Sequence, residues 1–594
     1  MEVKRRVADI IMDILVDNGI TDCFAVVGGG AMHLDNALAL NNKITKYFNH
    51  HEQACAMAAE AYARMSGKIA AVCVTSGPGA TNTLTGVMGC WQDSLPMLVL
   101  SGQVRYEISV PKSGLPLRYR GMQEFDIIHS IQNMTKYAVM LTDPLSVKRE
   151  LIKAINISMS GRRGPVWLDI PLDIQSAIVE EDDMYECEEI SAQPTASKQD
   201  IFFMMEKLKN AKRPCVLAGN GIVNSDNLQG FREFVHKLNV PVIGACIAAD
   251  AMYMDYPRYY GLSGSIGPRT GNFIVQNADV IVSIGCSLGY KMTGFAQDKF
   301  APNAYIISVE VDENEMKKEG VRINYLIHSD LNNFFEVAQD ELCEICVDSA
   351  WIDYCNKLKQ RFSPFEPADE VRLDERVCAY YFWREYEKYE PDNSISVLGN
   401  NTANSAKLQI GIKKENQRII ANNNCGSMGA DLPEAIGAAV ASKRLVVCLT
   451  GDGSIMMNLQ ELQTIHHYQL PIKIVVFSND GYNAIRQTSK NFFNGVSIGC
   501  TAETGVSFPS FEQVAKTFGF EYMICHCNGE VGKSLQQFFQ VEGNVLLEIE
   551  QRLDDPIVPK VMSRMNEDGS FSTPSLEDMA PFISKKEHDS LMFW

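Results

Sequence analysis

Short apolar runs alternate with amphipathic stretches along almost the whole chain, and most runs end in a polar, glycine-bearing turn. Apolar runs bounded by turns read as buried strands, and apolar positions recurring every three or four residues read as helices. Over residues 1–175 this predicts a helix at 7–18 and a strand at 23–27 that ends in Gly28-Gly29-Gly30-Ala31-Met32-His33. A strand at 44–48 then delivers Asn49-His50-His51-Glu52-Gln53 to an Ala-rich helix at 54–65. Strands at 69–75 and 97–102 follow, and the unit closes at 164–171. Residues 176–198, with Glu180, Glu181, Asp182, Asp183 and Pro194, read as a linker. A second unit has strands at 214–218, 240–244, 280–284 and 304–311, and a charged helical connection covers 345–375. In the third, a strand at 445–449 leads to a helix whose apolar positions are Met457, Leu459, Leu462 and Ile465, and then to a strand at 472–477. Beyond Asp555 the chain is polar, with Pro556, Pro559, Pro574 and Pro581, and reads as an arm that wraps or covers another part. The fold class is α/β: three doubly wound units at 1–175, 195–345 and 376–555, and an arm at 556–594.

Composition narrows the partners. The 594 residues are 46% hydrophobic and 21% charged, as in ordinary globular chains. A net charge of −19 argues against nucleic acid or an anionic membrane. Residues 1–22 are amphipathic and charged throughout, unlike a signal peptide, and no apolar run approaches membrane-spanning length. Seventeen scattered cysteines fit reduced thiols in a cytoplasm.

The strongest chemical signal follows the strand at 445–449. Gly451-Asp452-Gly453-Ser454 combines glycines that permit a tight turn with a hard oxygen ligand and helix-initial N–H groups at Gly453 and Ser454. After the next strand, Asn479 offers an amide oxygen and Gly481 a carbonyl. Magnesium takes about six oxygens, typically one or two carboxylates plus substrate phosphates. Asp452, Asn479 and Gly481 therefore read as ligands of a magnesium ion that carries a diphosphate. The Gly-Asp-Gly-Ser turn alone fits a solvated βα turn equally well; the Asn after a second strand tips the balance.

This stretch resembles the diphosphate motif of thiamine-diphosphate (ThDP) enzymes. The flanks, 426–433 and Glu461-Leu462, resemble the acetolactate synthase branch, and the similarity extends over nearly the whole chain. The resemblance implies that the first and third units bind the pyrimidine and the diphosphate of ThDP. It also implies that the cofactor lies between the first unit of one subunit and the third of another, in a homodimer or homotetramer. In the family a glutamate at the Glu52 position protonates the aminopyrimidine, and the cofactor acts as nucleophile and electron sink. Taken alone, Glu52 also reads as a helix-start carboxylate favoured by the macrodipole. Burial among apolar neighbours is expected to raise its pKa. Met428 matches the residue beneath the cofactor, and Gly426 a backbone contact to the pyrimidine. Gly29 in its glycine loop and Gln123 match residues around the reacting centre, with His33, His50 and His51 as candidate proton carriers or plain loop residues. Asn400, Asn401 and Thr402 match diphosphate contacts, although Thr402-Ala403 replaces the Gln-His pair usual in the synthases.

The middle unit resembles the FAD-binding domain of acetolactate synthases at Gly219, Gly221, Gly264, Gly285 and Glu310. The arginines of the family's pattern are replaced by Ser287 and Lys291, so FAD, ADP and an unfilled site all stay open. The G-x-G-x-x-G spacing of nicotinamide enzymes is absent. A silent scaffold would have lost Glu52 or the metal ligands, and both are present.

The resemblance implies a decarboxylase and carboligase that takes a 2-oxo acid, pyruvate, as donor. Ser287 and Thr488 stand where acetolactate synthases have an arginine and a tryptophan that shape the site for a second 2-oxo acid. The stretches 28–34, 50–54, 91–96, 431–437, Glu567-Asp568-Gly569 and 575–579 look closer to ThDP enzymes of deoxysugar and surface-polysaccharide pathways. The acceptor expected on that basis is a nucleotide-linked keto-deoxysugar, with acetolactate synthesis as the alternative.

Overall fold

The structure, a computed structural model, describes residues 4–187, 192–565 and 570–593. Part of the expected linker and Glu567-Asp568-Gly569 lie outside the described residues. Three six-stranded sheets carry the fold. In the first, the order is Thr45–Phe48, Asp22–Ala25, Ala71–Val74, Met97–Gln103, Pro165–Pro171, Tyr137–Met140, and every pairing is parallel. Numbered along the chain within that sheet, this is 2-1-3-4-6-5. The third sheet has the same order, built from strands between Ile395–Leu398 and Val545–Glu550. The second sheet runs 3-2-1-4-5-6, the doubly wound dinucleotide-fold order. Its outer strands, Tyr259–Ser263 and Tyr325–His328, escape the reading of apolar runs because glycine, serine, tyrosine and histidine interrupt them.

In each sheet the strand order reverses between two neighbouring strands, and ligands bind outside the carboxyl ends at such points. In the first sheet the strands Asp22–Ala25 and Ala71–Val74 flank the reversal, and they lead into Gly28–Gly30 and Thr75–Gly79. In the third, Ile395–Leu398 leads to Asn400–Thr402, and Val446–Gly451 leads to Asp452. The central strands are buried on both faces, as their continuous apolar runs require, and several edge strands are partly exposed.

By compactness the chain divides into two units: residues 1–192 with 420–448 and 454–473, and residues 193–419 with 449–453 and 474–594. In the first unit the helix Glu52–Ser66 packs on Asp431–Ser442, where Gly437 is obligatory because a Cβ would stand 1.9 Å from the Ala58 carbonyl. Between them lies a buried charged cluster. Arg64 bonds Asp93 at 2.5 Å and Glu60 at 3.2 Å, and Asn422 and Asn424 donate to Glu60 and Asp93. Glu434 is fully buried, and neither carboxylate oxygen has a hydrogen-bond partner among the described residues. Burial, and then the neighbouring Glu60, push its pKa well above the ordinary value. The raised pKa makes the folded state hold a proton the unfolded state has released, so Glu434 costs stability increasingly as pH rises above its unfolded value. Glu434→Gln is expected to raise stability by about 1–3 kcal/mol at pH 8, with the gain shrinking toward pH 4, as read by urea denaturation at several pH values. A gain independent of pH would mean that packing, not charge, sets the effect.

In the second unit the carboxyl-terminal arm covers the helix Arg269–Asn277. Arg269 donates to the Met579 carbonyl, Asn272 to that of Leu576, and Gln276 to Glu577. A short helix, Lys585–Leu591, ends the arm where only extended chain was expected, and Phe593 packs on Trp351 and Tyr354. Cys343 and Cys346 stand in a C-x-x-C spacing that a reading of scattered cysteines passes over; both are exposed free thiols.

Candidate active site

Glu52 is the first residue of the helix Glu52–Ser66, and His51 caps that helix by accepting from the Gln53 N–H. Glu52 is half-buried, not enclosed as expected, because it stands at the open carboxyl edge of the first sheet. Its Oε2 accepts from Asn82 at 2.9 Å, and the neighbouring Gly79 leaves its Oε1 uncrowded: a Cβ there would come within 3.5 Å. Asn82 was not identified from sequence, since its distance along the chain hides the pairing; the polar Ser-Gly-Pro-Gly-Ala-Thr-Asn turn after a strand was the available signal. Gly28 and Gly30 pack on Thr75 and Ser76, whereas a Cβ on Gly29 would meet nothing within 4 Å. Gly29 is thus the open face of the loop. Gln123 takes a left-handed φ of 61°, and its carbonyl lies against the Cα of Gly77, another left-handed position. Burial, and then the charges of Arg6 and Arg105, push the His33 imidazole below its usual pKa. His50 is exposed, with its N–H on Glu461, so His50 and His51 are both engaged in local structure.

The same unit holds Gly426 and Met428. Gly426 is left-handed at φ 62° and donates to Asn422, and Met428 is half-buried beside it. The Ser454 hydroxyl donates to Asp431 at 2.7 Å and accepts from the Gly429 N–H at 2.9 Å, which fixes the turn after Met428. Asn458 bonds the Gly429 carbonyl and Gln53. These bonds break the helix expected after Ser454: it stops at Ile455 and resumes at Glu461–His467, leaving Met457 half exposed and outside both.

In the second unit, Asp452 is buried and surrounded by backbone donors. Its Oδ1 accepts from Gly453 N at 2.8 Å, and its Oδ2 from Asn479 N at 2.9 Å and Gly481 N at 3.2 Å. Burial nevertheless pushes its pKa up to about 6, against the three amides that oppose the rise. Asn479 is fixed by Gln551 and by Arg486, which donates to its amide oxygen at 3.2 Å; neither partner was singled out from sequence. Gly453 must be glycine, because a Cβ would collide with the Tyr482 ring at 2.1 Å. Asn401 caps the helix Thr402–Ile410 through its side-chain oxygen, and its buried amide nitrogen has no partner among the described residues. The Thr402 hydroxyl accepts from Asn483, and Asn400 is exposed.

These residues fit magnesium and a diphosphate. A desolvated carboxylate of raised pKa is relieved by a cation, and an unpartnered buried amide N–H is relieved by an anionic oxygen. Among the described residues no group of three His, Cys, Asp or Glu side chains could hold a metal alone. A one-carboxylate site that borrows phosphate oxygens is consistent with that.

The middle-domain positions behave differently. The amides of Gly219, Gly221, Gly264 and Gly285 donate to the Ile284 carbonyl, the Gly285 carbonyl, Asn272 Oδ1 and the Val309 carbonyl. Glu310 Oε1 accepts from the amides of Val311 and Asp312. The glycines serve close approach: a Cβ on Gly219 would stand 2.1 Å from the Gly285 oxygen. These amides are thus engaged within the domain itself.

Three domain families match the chain: thiamine pyrophosphate enzyme, N-terminal TPP binding domain over residues 5–130, central domain over 203–337, and C-terminal TPP binding domain over 398–549. Among curated proteins the chain is 29% identical over 561 residues to an acetolactate synthase isozyme 2 large subunit of Escherichia coli, covering 93% of this chain and 97% of that protein. It is 28% identical to a probable acetolactate synthase large subunit of Methanococcus aeolicus, covering 91% of each, and 28% identical to an acetolactate synthase large subunit of Porphyra purpurea, covering 93% and 92%.

Proposed function

Since the chain belongs to the thiamine pyrophosphate enzymes, as a decarboxylase and carboligase similar to acetolactate synthases, we propose that its donor is pyruvate and its acceptor the keto group of a nucleotide-linked deoxysugar. The observation that carries the acceptor reading concerns Ser287 and Thr488. Thr488 lies on the exposed face of the helix Asn483–Phe492, its hydroxyl bonded to the Ala484 carbonyl at 3.0 Å. Ser287 is half-buried, and its carbonyl accepts from Lys318. Neither side chain can grip a carboxylate at two points as a guanidinium does. A second 2-oxo acid loses its anchor, and a bulkier carbonyl compound gains room.

When bound, ThDP supplies a carbon nucleophile and electron sink, with magnesium on its diphosphate. Asp452 would hold the metal, with Asn479 and Gly481 beside it, and Asn401 would donate to the diphosphate. Glu52 would give and take the pyrimidine proton, oriented by Asn82. Met428 would support the cofactor, Gly426 would offer backbone groups to its ring, and Gly29 would leave space for the reacting carbon. We read the domains as a pyrimidine-binding unit at 1–175, a middle unit at 195–345, a diphosphate-binding unit at 376–555 and an arm at 556–594, a division supported by the three family matches. The working unit is at least a homodimer, a reading supported by exposed Phe492, Phe493, Val496 and Ile498. Seventeen free thiols support a cytoplasmic setting, and no helix among the described residues is long and apolar enough to cross a membrane. For the middle domain FAD, ADP and an unfilled site stay open: a yellow purified protein with a flavin spectrum would assign FAD, and a colourless one would exclude it.

Acetolactate synthesis remains the second reading, favoured by the similarity to acetolactate synthase large subunits. One experiment separates the two: ThDP, magnesium and pyruvate alone, with CO₂ and acetolactate followed together. Slow CO₂ release with little acetolactate supports a missing sugar acceptor. Rapid acetolactate formation would sink that reading.

A further inference from the structure

We propose that the loop at 105–122 is the surface that holds the nucleoside diphosphate part of the acceptor; the proposal rests on the acceptor reading above. The loop is pinned. Glu124 accepts from the amides of Val110, Arg120 and Gly121, and Asp173 from that of Tyr106. Gly121 lies against Val104, and Gln103 holds the Phe125 carbonyl at 3.0 Å.

Its surface is basic in a chain of net charge −19. Arg105, Lys112, Arg118 and Arg120 make no ion pair among the described residues. The acids at 105–124 are Glu107 and Glu124, the latter turned to the three amides, so the four cations outnumber the two carboxylates. The same loop exposes large apolar side chains: Tyr119 at 68%, Met122 at 87%, and also Leu115 and Leu117. Cations on a pinned loop match the oxygens of a diphosphate, and an exposed tyrosine matches the flat face of a base. A small 2-oxo acid has one charge and little apolar surface, and needs neither.

The location agrees with this role. The loop ends at Gln123, whose carbonyl packs on Gly77 at the head of the turn that carries Asn82 to Glu52. At its other end the Arg105 charge reaches His33 in the glycine loop. A sugar joined to a diphosphate on this surface would point its keto group at that edge of the first sheet.

The test is direct binding of uridine and thymidine diphosphate to enzyme loaded with ThDP and magnesium, by titration calorimetry. Binding below about 1 mM is expected, weakening as salt is raised. Arg105→Gln with Arg118→Gln should weaken it by about tenfold or more, and Arg105→Lys with Arg118→Lys should restore most of it. Thermal midpoints of the variants keep a folding defect apart from lost affinity. No binding by the unsubstituted enzyme, or equal binding by the Gln variant, overturns the proposal. So does a Gln variant that changes only the assembly mass, which would make the loop a contact between copies. The measurement is separable from the acceptor reading, which fails instead on rapid acetolactate formation from pyruvate alone.

Discussion

Glu52→Gln is expected to cut the rate of CO₂ release from pyruvate by about 10²- to 10⁴-fold, the usual worth of a positioned general acid–base. The substitution keeps length and shape, and Asn82 can still donate to the remaining side-chain oxygen, so the helix Glu52–Ser66 and its His51 cap should be undisturbed. What it removes is the ability to give and take a proton at the carboxyl edge of the first sheet. ThDP affinity should change little, because the residues that fit the diphosphate, Asp452 and Asn401, are separate from Glu52. Asn82→Ala should show a smaller loss, since it leaves the carboxylate in place and removes only its orienting bond. Steady-state CO₂ release together with cofactor titration reads both. If Glu52→Gln keeps more than about a tenth of the rate, the proton is handled elsewhere.

The residues legible in the sequence are those whose chemistry is local. Asp452 announces itself by the glycines on either side, and Glu52 by its place between a strand and an Ala-rich helix. The residues missed act through long chain separations: Asn82 on Glu52, Gln551 on Asn479, and Asp431 on Ser454. Glycine shows the same limit from the other side. Gly219 and Gly453 look alike as loop residues, yet one is required by a neighbouring backbone and the other by a tyrosine ring beside the candidate metal ligand. The shared 2-1-3-4-6-5 order of the first and third sheets is invisible to residue identity, because pairing order depends on which apolar faces meet, and many sequences satisfy that. Glu434 is the clearest surprise. Its position in an Asp-Leu-Pro-Glu-Ala helix start suggests a solvated carboxylate, but tight packing at Gly437 buries it without a partner among the described residues.

Magnesium-dependent binding of ThDP is expected to lose about tenfold in affinity per pH unit below pH 6 and to level off above pH 7. The sign follows from Asp452. Burial pushes its carboxyl from the ordinary aspartate range up to about 6. A cation binds the carboxylate and not the acid, so below the folded pKa each binding event must first expel a proton. The same shift makes Asp452 a cost to the cofactor-free fold. Between about pH 4 and 6 the unfolded chain has released a proton that the folded one keeps, so this residue's contribution to stability falls as pH rises through that window. Metal and diphosphate then reverse the balance, because they bind only the folded, deprotonated form. Asp452→Asn should therefore abolish the pH dependence. It should also weaken cofactor retention by about 100-fold or more. The measurements are ThDP titrations at fixed magnesium between pH 5 and 8 and thermal unfolding with and without the cofactor. If the substitution removes retention and leaves the pH profile intact, the titrating group is not Asp452, and the metal lies on other oxygens.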